Sequence, residues 1–249
     1  DIRQSLHFKQ VFGAAHRAGY DINLTTKKPA RMDHAGFGMV LGDDGRPFKT
    51  RSGENVKLMD VINEAIRRAA AVVNERSAEL PEAERARVAE AVGVAALKYA
   101  DLSNDRVKDY VFSFDRMLAF EGNTGPYLLY ALVRTRSIQR KAAGERGLSA
   151  AAWKNAPLVI NEQPEKTLAL TLLRYPGVLA SAAEALEPHR ICNYSYDLAG
   201  TFSSFFDQCP VLKAPDDATM LSRLRLCALT ERVLADGLTT LGLPTLERM

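Results

Sequence analysis

The sequence predicts a mainly α-helical protein in which a small mixed α/β segment precedes a helical bundle. From Lys57 onward, apolar residues recur at intervals of three and four along most of the chain, which is the spacing of one buried helix face. Residues 1–50 lack this regularity and combine one helical stretch with glycine-containing turns. Because the chain has 249 residues, of which 47% are hydrophobic, it can bury a sizeable core in one or two domains.

The mixed segment is expected to begin with an amphipathic helix over residues 6–18. A stretch at 20–24 and a short strand over 37–41 follow. The run Gly-Asp-Asp-Gly at 42–45 then favours a chain reversal, since glycine and aspartate suit turns. A polar, basic loop is expected at 46–53.

Beyond this loop, the apolar spacing predicts consecutive helices joined by short connections, which is the pattern of a helical bundle. The predicted helices cover residues 58–73, 83–99, 127–143, 165–186, 189–208 and 217–241. Pro176 and Gly177 are expected to kink or split the fourth of these, because proline removes a helix hydrogen bond. Asn123 and Thr124 are interpreted as a capping turn before the third helix, whose free amides their side chains can satisfy.

The composition indicates a cytoplasmic protein. No apolar run is long enough to cross a bilayer, and the start has no basic-then-apolar signal segment. Cys192, Cys209 and Cys227 lack metal-ligand spacing and cannot all pair, so we expect small apolar core residues in a reducing compartment. The first residue is Asp1 and it lies inside a patterned stretch, which suggests a fragment of a longer polypeptide.

Charge alone does not predict a nucleic-acid partner, because the formal net charge is only +3. The distribution is more informative. Four cations and no acid lie between residues 134 and 141, and a phosphate backbone responds mainly to such local charge. The alternative is a solvated helix face, which the charge pattern does not exclude.

Several longer segments resemble bacterial arginyl-tRNA synthetases, in the same order and up to the last residue. They read DLSNDRVKDYVF at 101–112, MLAFEGNTGPYLLYA at 117–131, HRICNY at 189–194, AGTFSSFF at 199–206, CPVL at 209–212 and LERM at 246–249. The resemblance implies the end of a class I, Rossmann-type catalytic domain followed by an all-helical anticodon-binding bundle. It assigns residues 1–60 to the catalytic domain, 61–122 to connecting helices and 123–249 to the anticodon-binding domain.

The resemblance also implies an arginine–tRNA ligase. Such an enzyme uses ATP with Mg²⁺ to make arginyl adenylate and then transfers arginine to its tRNA. The expected partners are therefore L-arginine, ATP and arginine tRNA, and we expect a monomer without membrane contact.

The resemblance implies a few site residues in the catalytic part. Gln4 lies in a segment that resembles the one closing the amino-acid pocket, where it would contact arginine. The alternative is that Gln4 belongs to a solvated first helical turn. Gly38 and Met39 resemble the strand whose backbone faces adenine, against an ordinary core strand with glycine at a bulge. The loop at 48–53 matches the Lys-Met-Ser-Lys-Ser loop of class I enzymes with a departure, because threonine stands at the second lysine. The charge that stabilises pyrophosphate would then come from Lys49, which we prefer, or from Arg51.

Tyr127, Tyr130 and Arg134 are spaced to share one side of a helix. Two aromatics in a core with a snorkelling arginine would be the structural interpretation. The functional one is a platform on which an unstacked base lies, with a cation for its phosphate. On the resemblance, the anticodon contacts are Tyr127, Tyr130, Arg134, Arg140, Phe206 and Met249.

Three hypotheses remain open from the sequence: part of a ligase, a tRNA-binding module without ligase activity, and a purely structural bundle. The first two differ on one feature. The His-x-Gly-His type of ATP motif is absent, and the four histidines of the chain have no such spacing. We therefore expect that this chain alone cannot form arginyl adenylate.

Overall fold

The computed structural model describes residues 1–42, 44–47 and 57–249, and most of these residues are helical. The helices are α1 (Ser5–Arg17), α2 (Leu58–Arg76), α3 (Glu82–Leu102), α4 (Phe114–Met117), α5 (Gly125–Arg146), α6 (Ala150–Lys154), α7 (Gln163–Leu173), α8 (Tyr175–Ala185), α9 (His189–Gln208) and α10 (Asp217–Thr240). Two short strands, β1 (Val40–Leu41) and β2 (Tyr110–Val111), pair in parallel. The predicted mainly α fold is confirmed.

The long helices lie where the apolar spacing predicts them. The bounds of α9 coincide with the predicted 189–208, and the predicted helix over 165–186 is divided into α7 and α8 at Arg174. The division lies next to Pro176, whose ring cannot donate to the preceding turn. The predicted capping role before α5 is confirmed for Thr124, whose hydroxyl accepts from the Tyr127 amide at 3.2 Å. It is wrong for Asn123, whose side-chain oxygen accepts from the Tyr99 hydroxyl instead.

The mixed segment is less regular than the sequence indicates. Only Val40 and Leu41 of the predicted strand over 37–41 form β1, and the stretch at 20–24 contributes one isolated bridge. The predicted strand is shortened because residues 37–39 do not continue the ladder of β1 and β2. The Gly38 amide donates instead to the Arg106 carbonyl, which precedes β2, at 2.8 Å. A side chain on Gly38 would lie 2.5 Å from the Lys108 carbonyl oxygen, so this stretch is packed against the chain before β2.

The core of the bundle lies between α5, α7, α9 and α10. Large side chains that are fully buried there are Leu128, Leu129, Leu132, Leu168, Leu198, Phe202, Phe205, Leu224, Leu226, Leu234 and Leu238. The three cysteines are buried and free, as the sequence predicts. Burial raises the pKa of Cys192 and Cys227 to about 12, which makes both thiols unreactive at neutral pH.

Two glycines let α3 lie close to α2 and to the start of α5. An added Cβ at Gly93 of α3 would lie 2.8 Å from the Ile66 backbone of α2. One at Gly125, the first residue of α5, would lie 2.5 Å from the Ala95 carbonyl oxygen of α3. The start of α5 is thereby fixed against α3, and any larger residue at Gly125 requires a backbone shift.

One ion pair in the bundle is fully enclosed. The Arg223 Nε of α10 donates to the Glu165 Oε1 of α7 at 2.7 Å, and the two side chains are 7% and 0% exposed. The other Glu165 oxygen accepts from the amides of Asn161 and Glu162, at 2.8 and 2.9 Å. The pair therefore joins α7 to α10 and also caps the start of α7.

The amino-terminal segment has a different surface from the bundle. Helix α1 contains no buried residue. Leu6, Tyr20 and Leu24 are 69%, 86% and 84% exposed.

In the described residues, no helix is both long and apolar enough to cross a membrane.

Candidate nucleic-acid interface

Helix α5 presents aromatic and cationic side chains on one side, as their spacing predicts. The Thr124 cap and Pro126 set where α5 begins and hence the direction in which Tyr127 and Tyr130 project. Tyr130 is 49% exposed, and Tyr127 is half-buried. Neither ring is sealed in the interior. We call Tyr127, Tyr130 and Arg134 the α5 ledge.

An open groove lies beside Tyr127, between α7 and α9. Its volume is about 730 Å³, and its α9 side has Tyr196, Gly200 and Ser204 in line, four residues apart, with Asp197 and Thr201 in the adjacent row. The rings of Tyr127 and Tyr196 meet edge to face with centroids 5.6 Å apart. A Cβ added at Gly200 would contact nothing within 4 Å, so the floor of the groove is open there. Burial, with a smaller contribution from Tyr196, raises the pKa of Tyr127, which keeps its hydroxyl neutral.

Arg134 connects the α5 ledge to α9. Its guanidinium carbon lies 4.4 Å from the centre of the Phe206 ring, the geometry of a cation–π contact. Its terminal nitrogens donate to the Ser203 Oγ at 3.3 Å and approach the Asp207 carboxylate at 3.4 Å. The structure thus brings Arg134 and Phe206 together, although 72 residues separate them in the sequence.

Arg140 and Met249 are associated with the end of the chain. The Arg140 Nη1 donates to the carbonyl oxygen of Glu247 at 2.9 Å. Arg136, four residues before Arg140 on α5, donates to the neighbouring Leu246 carbonyl at 2.8 Å. Met249 is half-buried and packs against the core cluster, so the last residue is not frayed.

The predicted catalytic residues are spread over the amino-terminal segment. Gln4 is exposed, in agreement with the solvated-turn alternative for this chain, and its side chain does not cap α1. The amides of Gly38 and Met39 are already used within the chain. The Gly38 amide donates to Arg106, and the Met39 amide donates to the Asp109 carboxylate at 2.6 Å. The Met39 side chain is 44% exposed. Lys49 and Arg51 lie outside the described residues.

Tyr196 of the interface was missed by sequence reasoning, and the contacts of Arg136 were not predicted. Tyr196 could have been found from the four-residue spacing that it shares with Gly200 and Ser204 on one face of α9. Arg136 is one of the four cations between residues 134 and 141, but no local signal indicates its contacts, because its partners come from α10 and from residues 246–249. Within residues 1–42, 44–47 and 57–249, no group of three or more His, Cys, Asp or Glu side chains is arranged to hold a metal ion.

Two sequence families match the chain in succession. Residues 1–114 match the family described as tRNA synthetases class I (R), catalytic domain, and residues 128–249 match the DALR anticodon binding domain. Similar curated proteins include an arginine–tRNA ligase of Haemophilus influenzae, 46% identical over 249 residues, and one of Ectopseudomonas mendocina, 50% identical over 251. Each alignment covers 100% of this chain but only 42% and 41% of the relative, so the chain spans about two fifths of their length.

Solved structures give the same result. The arginyl-tRNA synthetase of Thermus thermophilus superposes with a TM-score of 0.75 at 33% identity, covering 86% of this chain and 35% of that one. The enzyme of Plasmodium falciparum superposes with a TM-score of 0.80 at 30% identity, covering 100% and 40%.

Proposed function

Because the chain belongs to the arginyl-tRNA synthetase family, with whose C-terminal part it aligns, we propose that it is the tRNA-docking portion of an arginine–tRNA ligase. The exposed Tyr130 beside Arg134 on α5 carries this proposal, since both lie within the segment that matches an anticodon-binding family. In the division that we propose, residues 1–60 end the catalytic domain, 61–122 connect, and 123–249 bind the anticodon. The partner is arginine tRNA, bound by a monomer in the cytoplasm.

The α5 ledge has the chemistry that an unpaired anticodon base requires. About half of the Tyr130 side chain is open to solvent, so a base could stack on its ring. Stacking of this kind contributes about 1–3 kcal/mol per base. The Arg134 guanidinium, held over Phe206, can direct its free donors to a base edge or a phosphate. Tyr127 would contact the adjoining nucleotide through the groove, and Arg140 and Met249 would border the site.

The amino-terminal segment would contribute to arginine activation only together with a complete catalytic domain. Gln4 would contact arginine, and the backbone at Gly38 and Met39 would face adenine, since Gly38 has no side chain to hold a flat base away. Lys49, with Arg51 as the second candidate, would stabilise the pyrophosphate of ATP as charge develops on it. ATP would enter as its Mg²⁺ complex.

Substituting Tyr130 with alanine should reduce the discrimination between arginine tRNA and an anticodon-changed tRNA by about tenfold, the lower part of the stacking range. The fold should persist, because Tyr130 is 49% exposed. Filter binding of both tRNAs at one fixed salt concentration measures the ratio.

Tyr20→Ala is the matched control for this variant, since Tyr20 is an exposed tyrosine of the amino-terminal segment. It should leave the ratio unchanged. If the wild-type chain binds neither tRNA, the structural-bundle hypothesis is the correct one. If Tyr130→Ala instead unfolds with unaltered selectivity, another residue provides the stacking.

The isolated chain should show no arginine-dependent exchange of pyrophosphate into ATP above background. The reason is chemical, since none of its four histidines has the spacing of the ATP motif of class I enzymes. The arginine–tRNA ligase of Haemophilus influenzae serves as the positive control in the same assay. Exchange by this chain at a measurable rate would refute the view that it binds tRNA without activating arginine.

A further inference from the structure

The last eight residues, 242–249, follow a defined path along the bundle, and we call them the C-terminal segment. After α10 the chain turns at Gly242, whose φ of +69° lies in the left-handed region that favours glycine. Leu243 is 4% exposed, and Leu246 and Met249 pack against the core. Three apolar side chains thus attach this segment to the bundle, whereas segments without such contacts tend to fray.

Side chains from two helices hold the backbone of this segment. Three cations donate to its carbonyl oxygens: Lys98 Nζ to Gly242 at 2.6 Å, Arg136 Nη1 to Leu246 at 2.8 Å and Arg140 Nη1 to Glu247 at 2.9 Å. Contacts with carbonyl oxygens fix the path of the chain whatever its side chains are. The segment is therefore attached to α3 and α5 along its length.

Arg136 is the most buried of the three donors. It lies where α5, α10 and the C-terminal segment meet. Its side chain is only 16% exposed. Its Nε donates to the Glu231 Oε1 of α10 at 2.9 Å, which orients the planar guanidinium toward the Leu246 carbonyl. The Glu247 carboxylate lies 2.9 Å from the same Nη1. These donors are used within the chain and are not directed to a ligand.

The position of this attachment around α5 is informative. At about 100° per residue, Arg134 lies about 40° from Tyr130 on one side and Arg140 about 80° from it on the other. Arg136 lies a further 40° or so beyond Arg140. Tyr130 is thus bordered by α9 on the Arg134 side and by the C-terminal segment on the Arg140 side.

We propose that Arg136 is a positioning residue for tRNA binding, which together with Glu231 holds the C-terminal segment as one wall of the α5 ledge. This inference rests on the proposed tRNA-docking function and adds a residue that does not itself contact RNA. The segment, with Met249 at its end, then meets the RNA already ordered. The conformational entropy lost on ordering these eight residues then does not weaken the binding of RNA.

A double-mutant cycle on the complete 249-residue chain tests this role. Arg136→Gln and the deletion of residues 246–249 should each weaken binding of arginine tRNA by about tenfold. The two changes together should weaken it no further, because Arg136 acts through the deleted segment. Hydrogen exchange of the amides at 243–249, measured without RNA, should become faster in Arg136→Gln.

Three further variants separate positioning from charge and from misfolding. Arg136→Lys keeps the charge but cannot bridge Glu231 and Leu246 with two nitrogens, so it should lose less affinity than Arg136→Gln. Glu231→Gln should act in the same direction. Arg232→Gln removes an equal charge from the exposed side of α10 and should bind like the wild type. Thermal unfolding of each variant confirms that the bundle persists.

Four outcomes would overturn the proposal. Losses that multiply in the double variant would mean that Arg136 contacts RNA directly. Wild-type binding by Arg136→Gln would mean that the segment is held without it. Wild-type binding by the deletion, while Tyr130→Ala binds weakly, would remove the segment from the site. If Tyr130→Ala also binds like the wild type, the α5 ledge itself is not the tRNA site, and the proposed function fails first.

Discussion

Replacing Arg223 with methionine should lower the free energy of unfolding by about 3–5 kcal/mol, the range measured when one partner of a buried ion pair is removed. The Glu165 carboxylate, 0% exposed, would be left without its cation. Arg223 Nη1 also donates to the Pro210 carbonyl at 3.0 Å, so the connection between α9 and α10 would lose a contact as well. Urea unfolding followed by circular dichroism measures the change.

The control is the double variant Glu165→Gln with Arg223→Met. Glutamine keeps the acceptor for the Asn161 and Glu162 amides but carries no charge. It should recover most of the lost stability, because a neutral pair in place of a buried ion pair is often tolerated. A loss below about 1 kcal/mol in Arg223→Met alone would mean that solvent reaches the carboxylate.

The same pair gives a pH dependence of known sign. Burial raises the pKa of Glu165, but the amides of Glu162 and Asn161 and the Arg223 guanidinium outweigh it, so the folded pKa is lowered. The pair therefore stabilises the fold fully above the unfolded pKa of glutamate and loses this contribution as the pH falls through the folded pKa. The stability difference between wild type and Arg223→Met should shrink over that acid range.

Gly125→Ala should destabilise the chain by an amount near the upper end of about 1–3 kcal/mol, the cost of overpacking. Its methyl group would lie 2.5 Å from the Ala95 carbonyl oxygen, which is backbone and cannot rotate away. The start of α5 would have to move from α3, and the α5 ledge with it. Thermal unfolding and tRNA binding should therefore both change.

Gly144→Ala is the matched control in the same helix. No atom lies within 4 Å of its added methyl group, so the variant should gain about 0.5–1 kcal/mol from helix propensity. Opposite signs at the two glycines would attribute the effect of Gly125 to packing. Equal signs would contradict the close crossing of α3 and α5.

The sequence predicted the long helices because each buries one face, and a buried face has a period that can be counted. Helix α9 was predicted at both ends for this reason. Helices α4 and α6 were missed, since four and five residues are too few for a period to be visible. The pairing of β1 with β2 joins residues 70 apart, and no local pattern indicates such a contact.

From residue spacing alone, the candidate site was predictable only where its residues share one helix, and Phe206 and Met249 were added by the family resemblance. Tyr127, Tyr130 and Arg134 follow from spacing on α5. The contact of Tyr127 with Tyr196, and that of Arg136 with Glu231, depend on how α9 and α10 pack against α5. Packing of distant helices is set by the whole core and not by any one segment. The binding roles of all these residues, and those of Gln4, Gly38, Met39, Lys49 and Arg51, stay predictions.

The carboxylates around α5 have a consequence for how binding responds to ionic strength. Arg134, Arg136 and Arg140 each lie within 4.0 Å of an acidic oxygen of the same chain, so their charge is partly neutralised before any polyanion arrives. Few condensed counterions would then be released from the RNA by these three groups. The affinity of this surface for the proposed RNA partner would come chiefly from ring stacking and shape. It would vary only modestly across the range of salt concentrations found in cells.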